Sequence, residues 1–195
     1  MTIDIIGGGL AGCEAAYYLL KKGYHVRLFE ARPTYDDNAH HTDLLGELVC
    51  SNSLKSKALD NACGLLKEEM RILGSLTMEN SALSEVPSGN ALSVDRDIFA
   101  RLNTTKLASF PNFELVREEI KSLPNTPCVL ATGPLTSPCL SDYLMNLFGK
   151  KGLSFFDASA PIVRKDSIDF SKAYYKSRFS QGDEAYINCP FTKQE

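Results

Sequence analysis

Three glycines near the start constrain this chain more than any other feature. Thr2-Ile3-Asp4-Ile5-Ile6 reads as a strand, which breaks into Gly7-Gly8-Gly9-Leu10-Ala11-Gly12 as a helix-forming run from Leu10 to Lys22 begins. Gly7, Gly9 and Gly12 satisfy the G-x-G-x-x-G pattern in the strand, turn and helix setting that it requires. The first glycine makes the tight turn, the second lets backbone approach a pyrophosphate, and the third lets helix pack on strand. Phosphates then rest at a helix N-terminus, where unpaired N–H groups and the macrodipole favour negative charge. Without a ligand, the same pattern is only a glycine-rich turn.

Two further segments support a ligand. Tyr24 to Glu30 reads as a second strand, reached after Lys21-Lys22-Gly23 closes the helix. Glu30 ends it about 20 residues past the glycines, where an acid accepts hydrogen bonds from a ribose and favours a free diol over a phosphorylated one. Farther on, the buried-type strand Cys128-Val129-Leu130-Ala131 runs into Thr132-Gly133-Pro134. Ligands of open α/β sheets sit at the carboxyl ends of strands, so Thr132 and Gly133 are expected at the same cofactor as Gly7, Gly8, Gly9, Leu10, Ala11 and Gly12.

Between these strands, Ala31 to Lys57 is a long polar stretch holding His40-His41-Thr42 and Cys50-Ser51-Asn52-Ser53. Loops of this length in a compact domain are functional or disordered, and these side chains argue for function. His40 and His41 read either as ligand-facing donors or as surface histidines. Ala58 to Leu73 has helical periodicity, with Leu65, Leu66, Met70 and Leu73 on one face. Pro87-Ser88-Gly89-Asn90 suits a tight connection. Asp95 to Leu107 reads as a helix and Phe113 to Val116 as a strand. After Gly152 the character changes, and Phe155 to Val163 and Ala185 to Cys189 suggest strands of a second, mixed lobe. The expected division is therefore a dinucleotide-binding domain over 1–150, with a loop and helices inserted at 31–93, and the start of a second lobe over 151–195.

A length of 195 residues suits one domain with a small second lobe, and a formal net charge of −3 gives no global signature of nucleic-acid binding. Only modest basic patches occur: Lys55 with Lys57, Lys150 with Lys151, and Lys172, Lys176 and Arg178. Each reads most simply as solvated surface. No apolar run approaches the ~20 residues of a membrane helix, and none resembles a signal peptide, so a cytoplasmic location is expected. The six cysteines (13, 50, 63, 128, 139 and 189) show no metal-ligand spacing. In a reducing compartment they default to free thiols. Cys13 is expected to pack on the sheet, and Cys63, Cys128 and Cys139 to lie in the core.

Read alone, the opening run also resembles the large flavoprotein that modifies the wobble uridine of tRNA. Later segments separate the two. Ala39-His40-His41-Thr42-Asp43, Glu47-Leu48-Val49-Cys50-Ser51-Asn52-Ser53-Leu54-Lys55-Ser56, Leu66-Lys67-Glu68-Glu69-Met70-Arg71 and Ala91-Leu92-Ser93-Val94-Asp95-Arg96 resemble the folate- and FAD-dependent tRNA (uracil-5-)-methyltransferases. Ala131-Thr132-Gly133-Pro134-Leu135-Thr136-Ser137, Asp157-Ala158-Ser159-Ala160-Pro161-Ile162-Val163 and Ala185-Tyr186-Ile187-Asn188-Cys189-Pro190 do so too. The resemblance runs from the first strand to the last residue, and the Cys50 segment is its most specific part.

This resemblance implies an FAD-binding, glutathione-reductase-type Rossmann-like sheet. It also implies transfer of a one-carbon unit from 5,10-methylenetetrahydrofolate to C5 of a T-loop uridine in tRNA, with reduced FAD as reductant and NAD(P)H behind it. FAD would lie on Gly7 to Gly12, Glu30 and Thr132-Gly133. Cys50 aligns with a family cysteine near flavin and substrate. Its thiolate would need a lowered pKa, which Lys55 or a helix N-terminus would provide. Members run to about twice this length. Their principal nucleophile lies in a Phe-Glu-Gly-Cys segment that this sequence lacks, so the expectation is an N-terminal, C-terminally incomplete part. Two other readings stay open: a generic FAD- or NAD-dependent oxidoreductase, and a non-catalytic nucleotide-binding or RNA-interacting remnant.

Overall fold

A computed structural model describes residues 1–149, 163–176, 186–190 and 192. Strand β1 (Thr2–Ile6), helix α1 (Leu10–Lys21) and strand β2 (His25–Glu30) open the chain as expected. With β6 (Phe113–Arg117) and β7 (Cys128–Leu130) they form a four-stranded parallel sheet in the order β6-β2-β1-β7. β1 and β2 align Thr2 with His25 through Ile6 with Phe29.

Successive side chains of a strand point to opposite faces, and β1 shows the consequence. Ile5 joins one cluster with Ala16, Leu20, Val26, Leu28 and Leu107, packed under α1 and α4 (Arg96–Ala108). Ile6 joins another with Leu140 and Leu144 of α5 (Pro138–Phe148) on the opposite face. The result is a sheet covered on both sides, as parallel sheets require. Full burial of Ile5 and Leu28 contributes about 1.5–3 kcal/mol each. Asp4 is also buried in β1, where Arg27 of β2 binds it through two 2.8 Å bonds and Thr126 donates a third. Burial opposes its ionisation, but these partners outweigh that and hold the carboxyl below its ordinary range.

The segment between β2 and α4 differs most from expectation. The helix expected over Ala58–Leu73 is α2 (Ala62–Ile72), and a second helix, α3 (Leu76–Leu83), follows it where none was expected. Asn61 starts α2 by accepting the Gly64 N–H at 3.0 Å. Gly74, with φ of +74°, ends the turn between them, and Ser75 caps α3 through the Met78 N–H. The carboxylate of Glu14 on α1 accepts the Leu76 and Thr77 N–H groups, pinning that second start. The apolar face expected of this stretch is not core: Leu65 is 50%, Leu66 55% and Leu73 80% exposed.

A three-stranded antiparallel sheet was not anticipated; β3 (Ser53–Ser56), β4 (Glu85–Val86) and β5 (Ala91–Val94) lie in the order β3-β5-β4. Its β4–β5 hairpin turns at Pro87 to Asn90, as the turn residues suggested. The strand ending at Ala131 is an edge rather than a buried strand, with Val129 and Leu130 more than a third exposed. Cys13 is buried against the sheet, but Cys139 is exposed on the first turn of α5 and Cys63 and Cys128 are half-buried. Of the strands expected beyond Gly152, β9 (Ile187–Asn188) is present and pairs with β8 (Tyr174–Tyr175). The segment 150–162 lies outside the described residues.

Candidate functional site

The glycine turn shows which glycines the protein itself requires. A Cβ on Gly7, whose φ is +104°, would lie 2.6 Å from the Ala131 carbonyl oxygen. One on Gly12 would lie 1.9 Å from the Gly7 carbonyl oxygen, and one on Gly8 2.6 Å from Glu30 Oε2. Gly9 is different: its Cβ would meet no atom within 4 Å. Packing therefore explains the glycine at 7, 8 and 12, whereas the fold leaves open space at 9, the position where the G-x-G-x-x-G pattern brings backbone to a pyrophosphate. Gly9 is also the N-cap of α1, with no side-chain cap and no acidic residue in the first turn. The first turn thus has no side-chain cap, and Gly9, Leu10 and Ala11 line a cleft, the arrangement that suits a diphosphate.

Glu30 forms the next piece. Its Oε2 accepts the Gly8 N–H at 2.9 Å, and its Oε1 accepts both the N–H and Nε of Arg32, at 3.0 and 2.9 Å. Burial opposes ionisation of Glu30, but Arg32's hydrogen bond and charge, with the Arg32 and Gly8 N–H groups, hold the carboxyl below its ordinary range. Oε2 carries one bond and retains a lone pair for a ribose hydroxyl.

Arg32 and Glu47 organise the polar loop, and neither was anticipated as a site residue. Arg32 Nη1 reaches Glu47 Oε2 at 3.1 Å and the Thr42 carbonyl at 2.9 Å, and Nη2 reaches the Leu44 carbonyl. Glu47 also accepts the His41 N–H at 2.8 Å and the Thr42 N–H and hydroxyl. Gly46 N–H closes the loop onto the glycine turn by donating to the Gly8 carbonyl at 2.8 Å. The signal available in the sequence was an acid and an arginine standing 15 residues apart in a stretch otherwise short of apolar residues.

These elements enclose a cleft of about 330 Å³. Gly7, Gly8, Gly9, Leu10 and Ala11 form its floor, and Glu30, Thr132, Gly133, His40 and Cys50 also line it; Gly12 lies behind the turn and His41 does not line it. Thr132 and Gly133 stand beside the first turn because Ala131 N–H donates to the Ile6 carbonyl at 2.8 Å. Thr132 Oγ1 pairs with Thr136 Oγ1 at 2.7 Å, and Gly133 has a φ of +63°. Cys50 is exposed, and it also borders a second, polar cleft with Ser51, Asn52, Asp95 and Arg96. No hydrogen bond joins Lys55 to Cys50 among the described residues. Cys13 contrasts with it: burial, with the charges of Glu30 and Glu14, pushes that thiol to about 12.

Other expectations resolve more simply. Lys57 is committed to Glu85 at 2.5 Å, which weakens one of the small basic patches; Lys150, Lys151 and Arg178 lie outside the described residues. Among the described residues no cluster of His, Cys, Asp and Glu could hold a metal ion, and no helix is long and apolar enough to cross a membrane.

Comparison with known proteins adds to this geometry. The family described as glucose inhibited division protein A matches residues 2–195. The methylenetetrahydrofolate--tRNA-(uracil-5-)-methyltransferase TrmFO of Anoxybacillus flavithermus is 52% identical over 195 residues, which is 100% of this chain and 45% of that protein. The protein of the same name from Bacillus licheniformis is 51% identical over 194 residues, again with 45% of its length covered. The chain thus spans about half the length of the curated relatives it matches. Among solved structures, GidA of Aquifex aeolicus matches with a TM-score of 0.57 at 16% identity, over 75% of this chain and 30% of that one. That likeness shows the fold.

Proposed function

The chain belongs to the family of glucose inhibited division protein A, and from that premise we propose that it is the FAD-holding N-terminal part of a folate-dependent tRNA (uracil-5-)-methyltransferase. The observation that carries this reading is 52% identity across the whole chain to a relative bearing that name. In this reading, residues 1–150 hold the cofactor and 151–195 begin the second lobe. A one-carbon unit from 5,10-methylenetetrahydrofolate reaches C5 of a tRNA uridine, and the protein works in the cytoplasm.

The cleft fits the cofactor in its parts. The open position at Gly9 and the N–H groups of Leu10 and Ala11 would hold the diphosphate. Glu30 Oε2 would accept a ribose hydroxyl, and Thr132 and Gly133, on the same cleft, would also contact the cofactor. Bound FAD supplies the reducing electrons that complete the methyl group, drawn from NAD(P)H. Cys50 serves on the wall shared by the two clefts. The thiolate that adds to C6 of the uracil ring, so that the electron pair displaced from the C5–C6 bond makes C5 nucleophilic, is the family's principal cysteine rather than Cys50, whose place is beside flavin and substrate. That principal cysteine lies in the portion that this chain does not span, and so do most RNA contacts, given a net charge of −3.

The test is a transfer assay with labelled 5,10-methylenetetrahydrofolate and an unmodified tRNA transcript. The chain is assayed alone and with the C-terminal remainder of the Anoxybacillus flavithermus relative. Label at uridine C5 that requires folate and both parts is expected. Hydride transfer that needs neither folate nor RNA would point instead to a general oxidoreductase. Folded, FAD-loaded protein with no turnover of either kind would leave a nucleotide-binding remnant.

A further inference from the structure

His40 is fixed in the cleft wall by the carboxylate of Asp37. Its Nδ1 lies 2.6 Å from Asp37 Oδ2, and both side chains are largely buried, at 15% and 11% exposed. Asp37 Oδ1 accepts the N–H groups of Ala39 and His40, each at 3.0 Å, so the carboxylate itself is immobilised. An ionised carboxylate only accepts hydrogen bonds, so Nδ1 carries the hydrogen. That leaves Nε2 as the free end of the ring, and among the described residues no hydrogen bond is recorded for it.

A short chain of contacts ties the loop that carries this ring to the glycine turn, and His40 lines the same cleft as Gly9, Leu10 and Ala11. The residue after His40 donates its N–H to Glu47 Oε1 at 2.8 Å. The residue before Glu47 donates its N–H to the Gly8 carbonyl at 2.8 Å. His40 therefore sits two anchored steps from the turn, midway along a loop whose ends, Glu30 and Cys50, line the same cleft. The charges around it are the Asp37 and Glu47 carboxylates, with Arg32 paired to Glu47.

We propose that His40, held by Asp37, is a ligand of the diphosphate of the bound dinucleotide, in the cleft that the first turn of α1 also lines. This rests on the dinucleotide reading of the cleft. Nδ1–H stays on Asp37, and Nε2 is the ring atom left to meet a phosphate oxygen, donating when it carries a hydrogen. Asp37 thereby does for the ring what carboxylates do for other working histidines: it fixes tautomer and orientation. Asp37 is a positioning residue, because it acts through His40.

The test compares three probes, FAD, ADP and adenosine, on the 195-residue chain by equilibrium titration. His40→Ala is expected to weaken FAD and ADP on the order of tenfold, the size of a charge-assisted hydrogen bond, and to leave adenosine unchanged. His40→Gln keeps an N–H near the same place and is expected to recover part of that loss. Asp37→Asn is expected to weaken FAD and ADP by a few fold. Equal losses for adenosine and ADP, or unchanged ADP affinity in His40→Ala with an unchanged thermal melt, would overturn the proposal and show that the pair only braces its own loop. Failure of the unsubstituted chain to bind any of the three would instead overturn the dinucleotide reading, and this proposal with it.

Discussion

The backbone N–H of Gly8 donates to the carboxylate of Glu30 across 22 residues of sequence, at 2.9 Å. The turn expected to take the phosphates and the side chain expected to take the ribose are therefore one hydrogen-bonded unit. Because Arg32 completes that unit, Glu30 serves both the fold and the cleft. Replacement by Gln leaves buried Arg32 with Glu47 as its remaining carboxylate partner. Glu30→Gln should cost about 1–3 kcal/mol, the range for hydrogen bonds to a charged group. Urea unfolding measures it, and a loss under 1 kcal/mol would contradict this role.

Acid should act through the same group. The folded-state pKa of Glu30 is lowered, as are those of Asp4, Asp37 and Glu47. A lowered carboxyl adds stability that is fully present above its unfolded value, near 4.3 for Glu and 3.9 for Asp, and is lost as pH falls through the folded one. Stability should thus hold from pH 7 to about 5 and then drop steeply. Thermal melts across this range check it, and a flat profile down to pH 3 would contradict it.

Gly9 and Gly12 should separate ligand from fold. Gly12→Ala sets a Cβ 1.9 Å from the Gly7 carbonyl oxygen, so the helix must leave the strand, with a loss of several kcal/mol. Gly9→Ala meets open space and should cost under about 1 kcal/mol, the usual penalty of Ala against Gly at an N-cap. It should nevertheless weaken dinucleotide binding at least tenfold. Melts and FAD titrations of the two variants distinguish these outcomes.

The cysteines offer a map of the cleft. Exposed Cys50, Cys139 and Cys189 should alkylate readily, and Cys13, buried with its thiol raised to about 12, should not. FAD should slow labelling of Cys50 and leave Cys189 unaffected. Mass spectrometry after timed alkylation reads each site, and equal protection of Cys50 and Cys189 would argue against Cys50 as a wall of the cofactor cleft.

What the sequence revealed follows from the range of each interaction. β1, α1 and β2 were legible because their periods and the glycine turn are local. Helix α2 was legible from its apolar period and ends one residue before the expected Leu73, whereas α3 was not, because Glu14, which fixes its start, lies on another helix. Strands β3, β4 and β5 have two to four residues each and no apolar alternation, so only their pairing defines them. Cys139 was assigned to the core from residue type alone, yet it falls on the outward side of the first turn of α5. The cleft's floor could be named residue by residue. Its side wall could not, because Arg32, Asp37 and Glu47 acquire meaning only when the loop folds back on Gly8.

The claim underlying all of this is that the cleft between the glycine turn and the polar loop holds FAD. Titration of FAD onto the purified chain, followed by flavin fluorescence, tests it most directly. Saturable binding of one FAD per chain is the predicted result, competed by ADP and lost in Gly9→Val while that variant still melts cooperatively. FAD that stays free at every protein concentration, or binds equally well to Gly9→Val, would contradict it.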